Sequence, residues 1–358
     1  MRTFKLIAIG GLVSAILLIG ACTKKTTTGG TVTPPPPPPP ANTLAVTLSN
    51  PQIIANGWDE TSFIVKDQSG TDVTVGSEIY IDNVRFTAPS YWTSTPGSRV
   101  VKAVRAGVTS PEITFTAGIA GPSPFAQKII VEDYTGTWCG HCPRVGIALE
   151  NYVNAGHPNC IVIANHGPSN DPYTFSSHAA LANSFSVTGY PSAWVDRDFK
   201  WGENTIQLDA QFTNRRAPLG LAFETSISGN TVNVASKVKF DVTTSVNLKL
   251  VVYLLEDDKV YPQVNYGYFG LPNPISGYVH NGILRATGLD IFGDNIPTDK
   301  QARGVTYEKT LSINASGYNL AKCKVIAFVV QGANNQGRKE KAVLNAQVVK
   351  AGENKAFD

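Results

Sequence analysis

Hydrophobic and polar positions change their rhythm twice along the chain. From Leu44 to Ala117 short segments alternate apolar and polar residues, as in Leu44–Leu48, Ser62–Val65, Glu78–Ile81, Val100–Val104 and Glu112–Thr116. Turn signals such as Asn56-Gly57, Ser69-Gly70 and Pro96-Gly97 separate them. Period-two alternation with this spacing predicts short strands packed as a sandwich. From Phe125 to about Arg216 apolar strands alternate with helix-compatible stretches: strand Lys128–Tyr134, helix Arg144–Val153, strand Cys160–Ala164, helix Phe175–Phe185 and strand Ser192–Asp196. That order predicts an α/β layer. From Leu219 to about Val349 the pattern returns to strands, with Ser228-Gly229-Asn230 as a hairpin turn, and predicts a second sandwich. Asn265–Pro274, rich in Tyr, Gly, Pro and Asn, interrupts this part as a long loop of the kind that binds partners. The fold class expected is therefore multidomain, with segments at 42–118, 125–216 and 217–350.

The first 41 residues stand outside this pattern. Arg2 and Lys5 precede an apolar run, Leu6–Gly20, which is shorter than the ~20 residues that span a bilayer. Leu18-Ile19-Gly20-Ala21-Cys22 closes it with small residues and a cysteine. This resembles a bacterial lipobox, which implies that residues 1–21 are a lipoprotein signal peptide and that Cys22 becomes a lipidated N-terminus. Residues 22–41 then read as a tether whose seven prolines, Pro34–Pro40, extend about 20 Å as a stiff polyproline rod.

The chemistry concentrates at Trp138-Cys139-Gly140-His141-Cys142-Pro143, between the first α/β strand and its helix. Two cysteines with two residues between them, at a helix start, can close and reopen a disulfide. Zinc sites also use such pairs, but no second ligand pair lies at suitable spacing, so neither a metal nor a cofactor is expected. Backbone N–H groups and the helix dipole favour a thiolate at Cys139. His141 adds positive charge or a hydrogen bond, Gly140 admits a close approach, and Pro143 fits the first turn. Cys142, one turn on, is the expected resolving thiol. Of the other cysteines, Cys160 and Cys323 sit beside apolar runs and read as small buried hydrophobes, with a disulfide between them as the alternative.

The Trp138–Cys142 motif, followed by Val187-Thr188-Gly189-Tyr190-Pro191-Ser192, resembles the active site of thioredoxin-fold oxidoreductases. The resemblance implies a central thioredoxin-like domain with Pro191 beside the dithiol and with Trp138, Gly140 and Tyr190 contacting substrate. Proteins of this fold often bury a carboxylate below the dithiol. Glu132 and Asp133 are the candidates here; strand alternation puts them on opposite faces, and the family-like Glu132–Gly136 motif favours Glu132. His166 ends a strand and reads as a loop residue, His157 and His178 as surface residues, and His280 and Arg285 as structural hydrogen-bonding groups. The strand-rich 42–118 segment resembles bacterial immunoglobulin-like repeats. The order of lipobox, Cys-x-x-Cys-Pro segment and Val279–Arg285 motif resembles the Omp-twenty-eight-related outer-membrane lipoproteins of Bacteroidetes, which implies an outer-membrane location.

Composition narrows the functional classes. The 358 residues carry a formal net charge of +3 and only 16% charged residues, without a basic patch, so nucleic acid is not an expected partner. The expected activity is thiol–disulfide exchange with extracytoplasmic protein thiols and disulfides, with a further redox partner and a membrane contact through the lipid. The alternative is a structural, adhesion or binding lipoprotein whose dithiol is not enzymatic.

Overall fold

A computed structural model of the chain describes residues 42–168, 170–213, 215–333 and 339–358. The signal peptide, Cys22 and the proline tether lie outside the described residues. Residues 42–358 cluster as one compact unit. Among the described residues strands dominate, 23 of them against three α-helices. No described helix is long and apolar enough to cross a membrane.

Residues 44–118 form a three-stranded sheet and a six-stranded sheet. Val46, Phe63, Val65, Val101 and Phe115 fill the space between them. The buried Asp59 ties this part to the C-terminal half: its carboxylate accepts the Thr243 N–H at 2.7 Å and pairs with Arg303.

The rest of the chain is built on one nine-stranded sheet. Its path runs Phe199–Lys200, Ser192–Val195, Ile129–Thr135, Cys160–His166, Ile283–Thr287, Leu248–Glu256, Cys323–Gln331 and Val343–Lys350, with Asp294–Ile296 paired to Leu248–Glu256. This corrects the expected succession of an immunoglobulin-like sandwich, a thioredoxin-like α/β domain and a second β-sandwich. The chain is mostly β and has no separate thioredoxin-like α/β core. The strands of the central segment continue without a break into strands of the C-terminal segment.

The physical reason lies at the edge of Cys160–His166. Left alone, that edge would expose a row of unpaired backbone groups. Instead Ile283 pairs with Ala164 in parallel, and the Ala164 N–H donates to the Gly282 carbonyl at 2.8 Å. Gly282 has φ +65°, and a Cβ there would meet the Val162 carbonyl oxygen at 2.6 Å. Only glycine allows that approach.

Helices α1 (Cys142–Asn154), α2 (His178–Ser184) and α3 (Thr205–Thr213) cover part of the sheet. All seven residues of Ile129–Thr135 are buried, because both faces of that strand are covered. Ile129 and Val131 pack with Val145 and Leu149 of α1 and Leu208 of α3. Ile130 and Tyr134 pack on the other face with Leu181 of α2, Phe185, Tyr253 and Phe328. A second sheet of three strands, Leu219–Ser228, Thr231–Phe240 and Thr306–Asn314, closes over the C-terminal strands through a core including Phe223, Val238, Leu250 and Val252. Each such buried Val, Leu or Phe contributes about 1.5–3 kcal/mol.

Candidate functional site

Period-two alternation decides what lies under the dithiol. Odd residues of Ile129–Thr135 face α1, so Asp133 shares a cleft with Cys142, the first residue of that helix. Even residues face α2 and the C-terminal strands. Glu132 there makes a two-pronged ion pair with Arg197, at 2.8 and 2.9 Å, and Arg197 also donates to the Tyr253 hydroxyl at 2.9 Å. The structure therefore turns Glu132 to the other face of the sheet and puts Asp133 in the cleft that Cys142 lines. The sequence motif favoured Glu132, but the carboxylate of Glu132 is already occupied.

Cys139 and Cys142 form a disulfide with their Cα atoms 5.4 Å apart. His141 is the N-cap residue of α1 and Pro143 stands in its first turn, where the missing N–H goes unneeded. The Cys142 N–H returns to the Cys139 carbonyl at 3.2 Å, and the Cys139 N–H to the Gly136 carbonyl at 3.0 Å. Asp171 fixes the start of this turn, accepting the Thr137 N–H at 2.5 Å while its other oxygen meets His166 Nδ1 at 3.2 Å.

Both cysteines are buried, Cys139 at 4% and Cys142 at 2% exposure. Over the Cys139 turn lies a strap, residues 261–278, that includes the loop noted in the sequence. The Val264 N–H donates to the Thr137 carbonyl and the Tyr266 N–H to the Gly140 carbonyl, each at 2.9 Å. The Gln263 amide donates to the Gly136 carbonyl at 3.1 Å and to the Cys139 carbonyl at 3.0 Å. Tyr266 lies so close over Gly140 that a Cβ there would stand 2.4 Å from its ring. His141 holds the Tyr268 hydroxyl through Nδ1 at 2.8 Å and meets the Tyr266 ring edge-on at 4.9 Å.

Of the other expected site residues, Trp138 and Tyr190 are in contact. The Trp138 indole N–H donates to the Gly167 carbonyl at 3.0 Å, and its ring meets Tyr190 edge-on at 5.5 Å. The Tyr190–Pro191 peptide is cis. His178, which the sequence placed on the surface, is 4% exposed. Its Nε2 bonds the Tyr190 hydroxyl at 2.6 Å and its Nδ1 the Asn165 side chain at 3.0 Å, so it fixes the tyrosine. Cys160 and Cys323 are separate buried thiols, and burial pushes them up to about 12 and about 11. Gln263, Tyr266 and Tyr268 are the residues the sequence did not assign. The unusual composition of the Asn265–Pro274 loop marked the two tyrosines, and nothing in the sequence marked Gln263.

Beside the disulfide lies a cleft of about 400 Å³ between α1, the strands Ile129–Thr135 and Cys160–His166, and the end of the strap. Asp133 lines it and is 3% exposed, and its Oδ1 has no hydrogen-bond partner among the described residues. Burial, with a smaller push from Glu203, raises the Asp133 carboxyl to about 7. His280 also lines the cleft, and burial next to His166 lowers its imidazole to about 4. A carboxyl whose folded value lies above its unfolded value keeps its proton longer in the native state, so stability falls as pH rises from about 4 through 7. Asp133→Asn removes that loss. The variant should gain on the parent protein in thermal unfolding as pH moves from 5 to 8, and a constant difference would refute the assignment.

Residues 178–355 match a family described as outer membrane protein Omp28, and that name points to the outer membrane. No curated protein matches the chain. Among solved structures, HBP35 of Porphyromonas gingivalis is similar with 20% identity over 64% of this chain and 76% of that protein, at a TM-score of 0.51. A protein of Agrobacterium tumefaciens is 15% identical over 65% of this chain and 98% of its own, at a TM-score of 0.38. At such identities the first of these likenesses concerns the fold alone.

Proposed function

We propose that this protein is an extracytoplasmic thiol–disulfide oxidoreductase of the Omp28-related lipoproteins, anchored at the outer membrane by a lipid on Cys22. The observation that carries the reading is the Cys139–Cys142 disulfide at the start of α1 with the orphaned carboxyl of Asp133 in the same cleft. A structural disulfide needs no proton acceptor beside it. A resolving thiol does, and a carboxyl near 7 can take up and release a proton at neutral pH.

In the reducing direction, the Cys139 thiolate attacks a substrate disulfide. One substrate sulfur joins Cys139 in a mixed disulfide and the other leaves as a thiolate. Cys142 gives its proton to Asp133 and attacks the Cys139 sulfur. The intramolecular disulfide re-forms and the second substrate thiolate leaves, so two electrons pass to the substrate. Run backwards, the same steps oxidise a dithiol. Trp138, next to Cys139 in the chain, and the Tyr190-Pro191 segment that it touches are the surface assigned to an extended substrate. A folded partner reaches Cys139 only when the strap has moved.

A binding or adhesion lipoprotein with a non-enzymatic dithiol is favoured by one observation, the burial of both sulfurs. The two readings part in a trapping experiment. Full-length Cys142→Ser protein is mixed with insulin and with an envelope extract, then resolved without reductant. The enzyme reading expects mixed disulfides at Cys139 that vanish in Cys139→Ser, and insulin reduction by the parent protein. No adduct and no turnover would leave the binding reading standing.

A further inference from the structure

The disulfide has two sides. The strap covers Cys139, whereas Cys142 lines the 400 Å³ cleft, which opens at the far end of α1. Exposed Glu150 and Asn154 of the helix, with Lys324 across from them, form its mouth. Asp133, Cys142, His166 and Gln263, all buried, form its depth. The volume lies near the lower end of the range for small-molecule sites and leaves no room for a protein segment.

The charges in the cleft are unequal. Asp133, Glu150 and Asp257 line it, and Lys324, its lone lysine or arginine among the described residues, is paired with Asp257. Among the described residues Glu150 accepts one long hydrogen bond, 3.4 Å, from the Asn281 amide, and Asp133 Oδ1 has no partner. Tyr278 lines the cleft with them, and its hydroxyl is raised by burial and further by these two carboxylates. His280 stays neutral above pH 5 and supplies no balancing charge. An ammonium group bound here would give Asp133 its missing partner through a charge-assisted hydrogen bond.

We propose that this cleft binds a small aminothiol, which exchanges with the disulfide from the Cys142 side while the strap still covers Cys139. The inference rests on the pair being redox-active. The thiolate of the aminothiol bonds to the Cys142 sulfur, the Cys139–Cys142 bond breaks, and Cys139 leaves as a thiolate that takes up a proton. A second aminothiol attacks the sulfur of the first, releasing the small disulfide and the Cys142 thiolate, which is protonated in turn. Two small thiols become one disulfide, and one protein disulfide becomes two thiols.

The test is the rate of reduction of the full-length protein, followed by Trp fluorescence, with cysteamine, 2-mercaptoethanol and mercaptoacetate compared at equal thiolate concentration. The expected order is cysteamine, then 2-mercaptoethanol, then mercaptoacetate, with about tenfold between the first and last. Glu150→Gln should shrink that ratio about two- to fivefold, as loss of an exposed charge does, and 1 M salt should shrink it further. Equal rates for the three thiols, or an order indifferent to Glu150→Gln, overturn the aminothiol site and leave the redox reading intact. Failure of all three thiols to reduce the pair overturns both.

Discussion

Glu132→Ala should cost the protein about 3–5 kcal/mol, a large share of the stability of an ordinary domain. The loss comes from what is left behind. Arg197 is 3% exposed and lies between the Phe185 and Phe328 rings, with its guanidinium carbon 5.4 and 4.8 Å from their centres. Without Glu132, a buried guanidinium keeps only the Tyr253 hydroxyl as a strong acceptor. The charge is not shed, because burial lowers the guanidinium but a guanidinium starts too high to lose its proton in a protein. Arg197 and Asp196 also adopt φ of +56° and +47°, conformations that non-glycine residues keep only when their surroundings hold them. Glu132→Gln keeps an acceptor oxygen but no charge, and its cost should fall between that of alanine and zero. Urea unfolding at pH 7 measures both, and an alanine cost below about 1 kcal/mol would refute the buried-pair account. Because Glu132 faces away from the dithiol, the folded fraction of Glu132→Gln should exchange disulfides at the parent rate, whereas Asp133→Asn should slow resolution.

This pair also shows where the sequence could be read and where it could not. The positions of Ile129–Thr135, Cys160–His166 and α1 follow from local periodicity to within about two residues, because each is set by what the strand or helix itself buries. Alternation also separated Glu132 from Asp133. It could not say which face held the dithiol, because that depends on where α1 lands. Arg197 gave no local sign, being 65 residues from its partner. The join between Cys160–His166 and Ile283–Thr287 was illegible for the same reason. A parallel pairing between residues 164 and 283 leaves no periodic trace in either segment. Without it the central segment read as a domain of its own, whereas its strands are part of a larger sheet. His178 was misread because a helix of seven residues is too short for sequence alone to assign its faces; its burial depends on Asn165 and Tyr190.

The larger sheet brings the strap to the dithiol, since residues 261–278 connect two of its C-terminal strands, Leu248–Glu256 and Ile283–Thr287. Gln263→Ala should therefore speed exchange with protein disulfides, by about 10- to 100-fold. Gln263 is 3% exposed, and its amide bridges the Gly136 and Cys139 carbonyls on either side of the reactive turn. Losing these bonds while burying their acceptors destabilises the covered state by about 1–3 kcal/mol. The open state forms its bonds with water and is little affected, so its population rises in proportion, about tenfold for every 1.4 kcal/mol. Exchange that passes through the open state rises with it. Tyr268→Phe, which removes only the hydroxyl held by His141, should give a severalfold increase by the same route. Insulin reduction and the alkylation rate of reduced Cys139 measure both variants. A main-chain bond at each of Val264 and Tyr266 remains in each variant, so the strap stays attached and the effect is graded. Rates equal to or below the parent value would mean that the strap is part of the working site and stays in place during turnover.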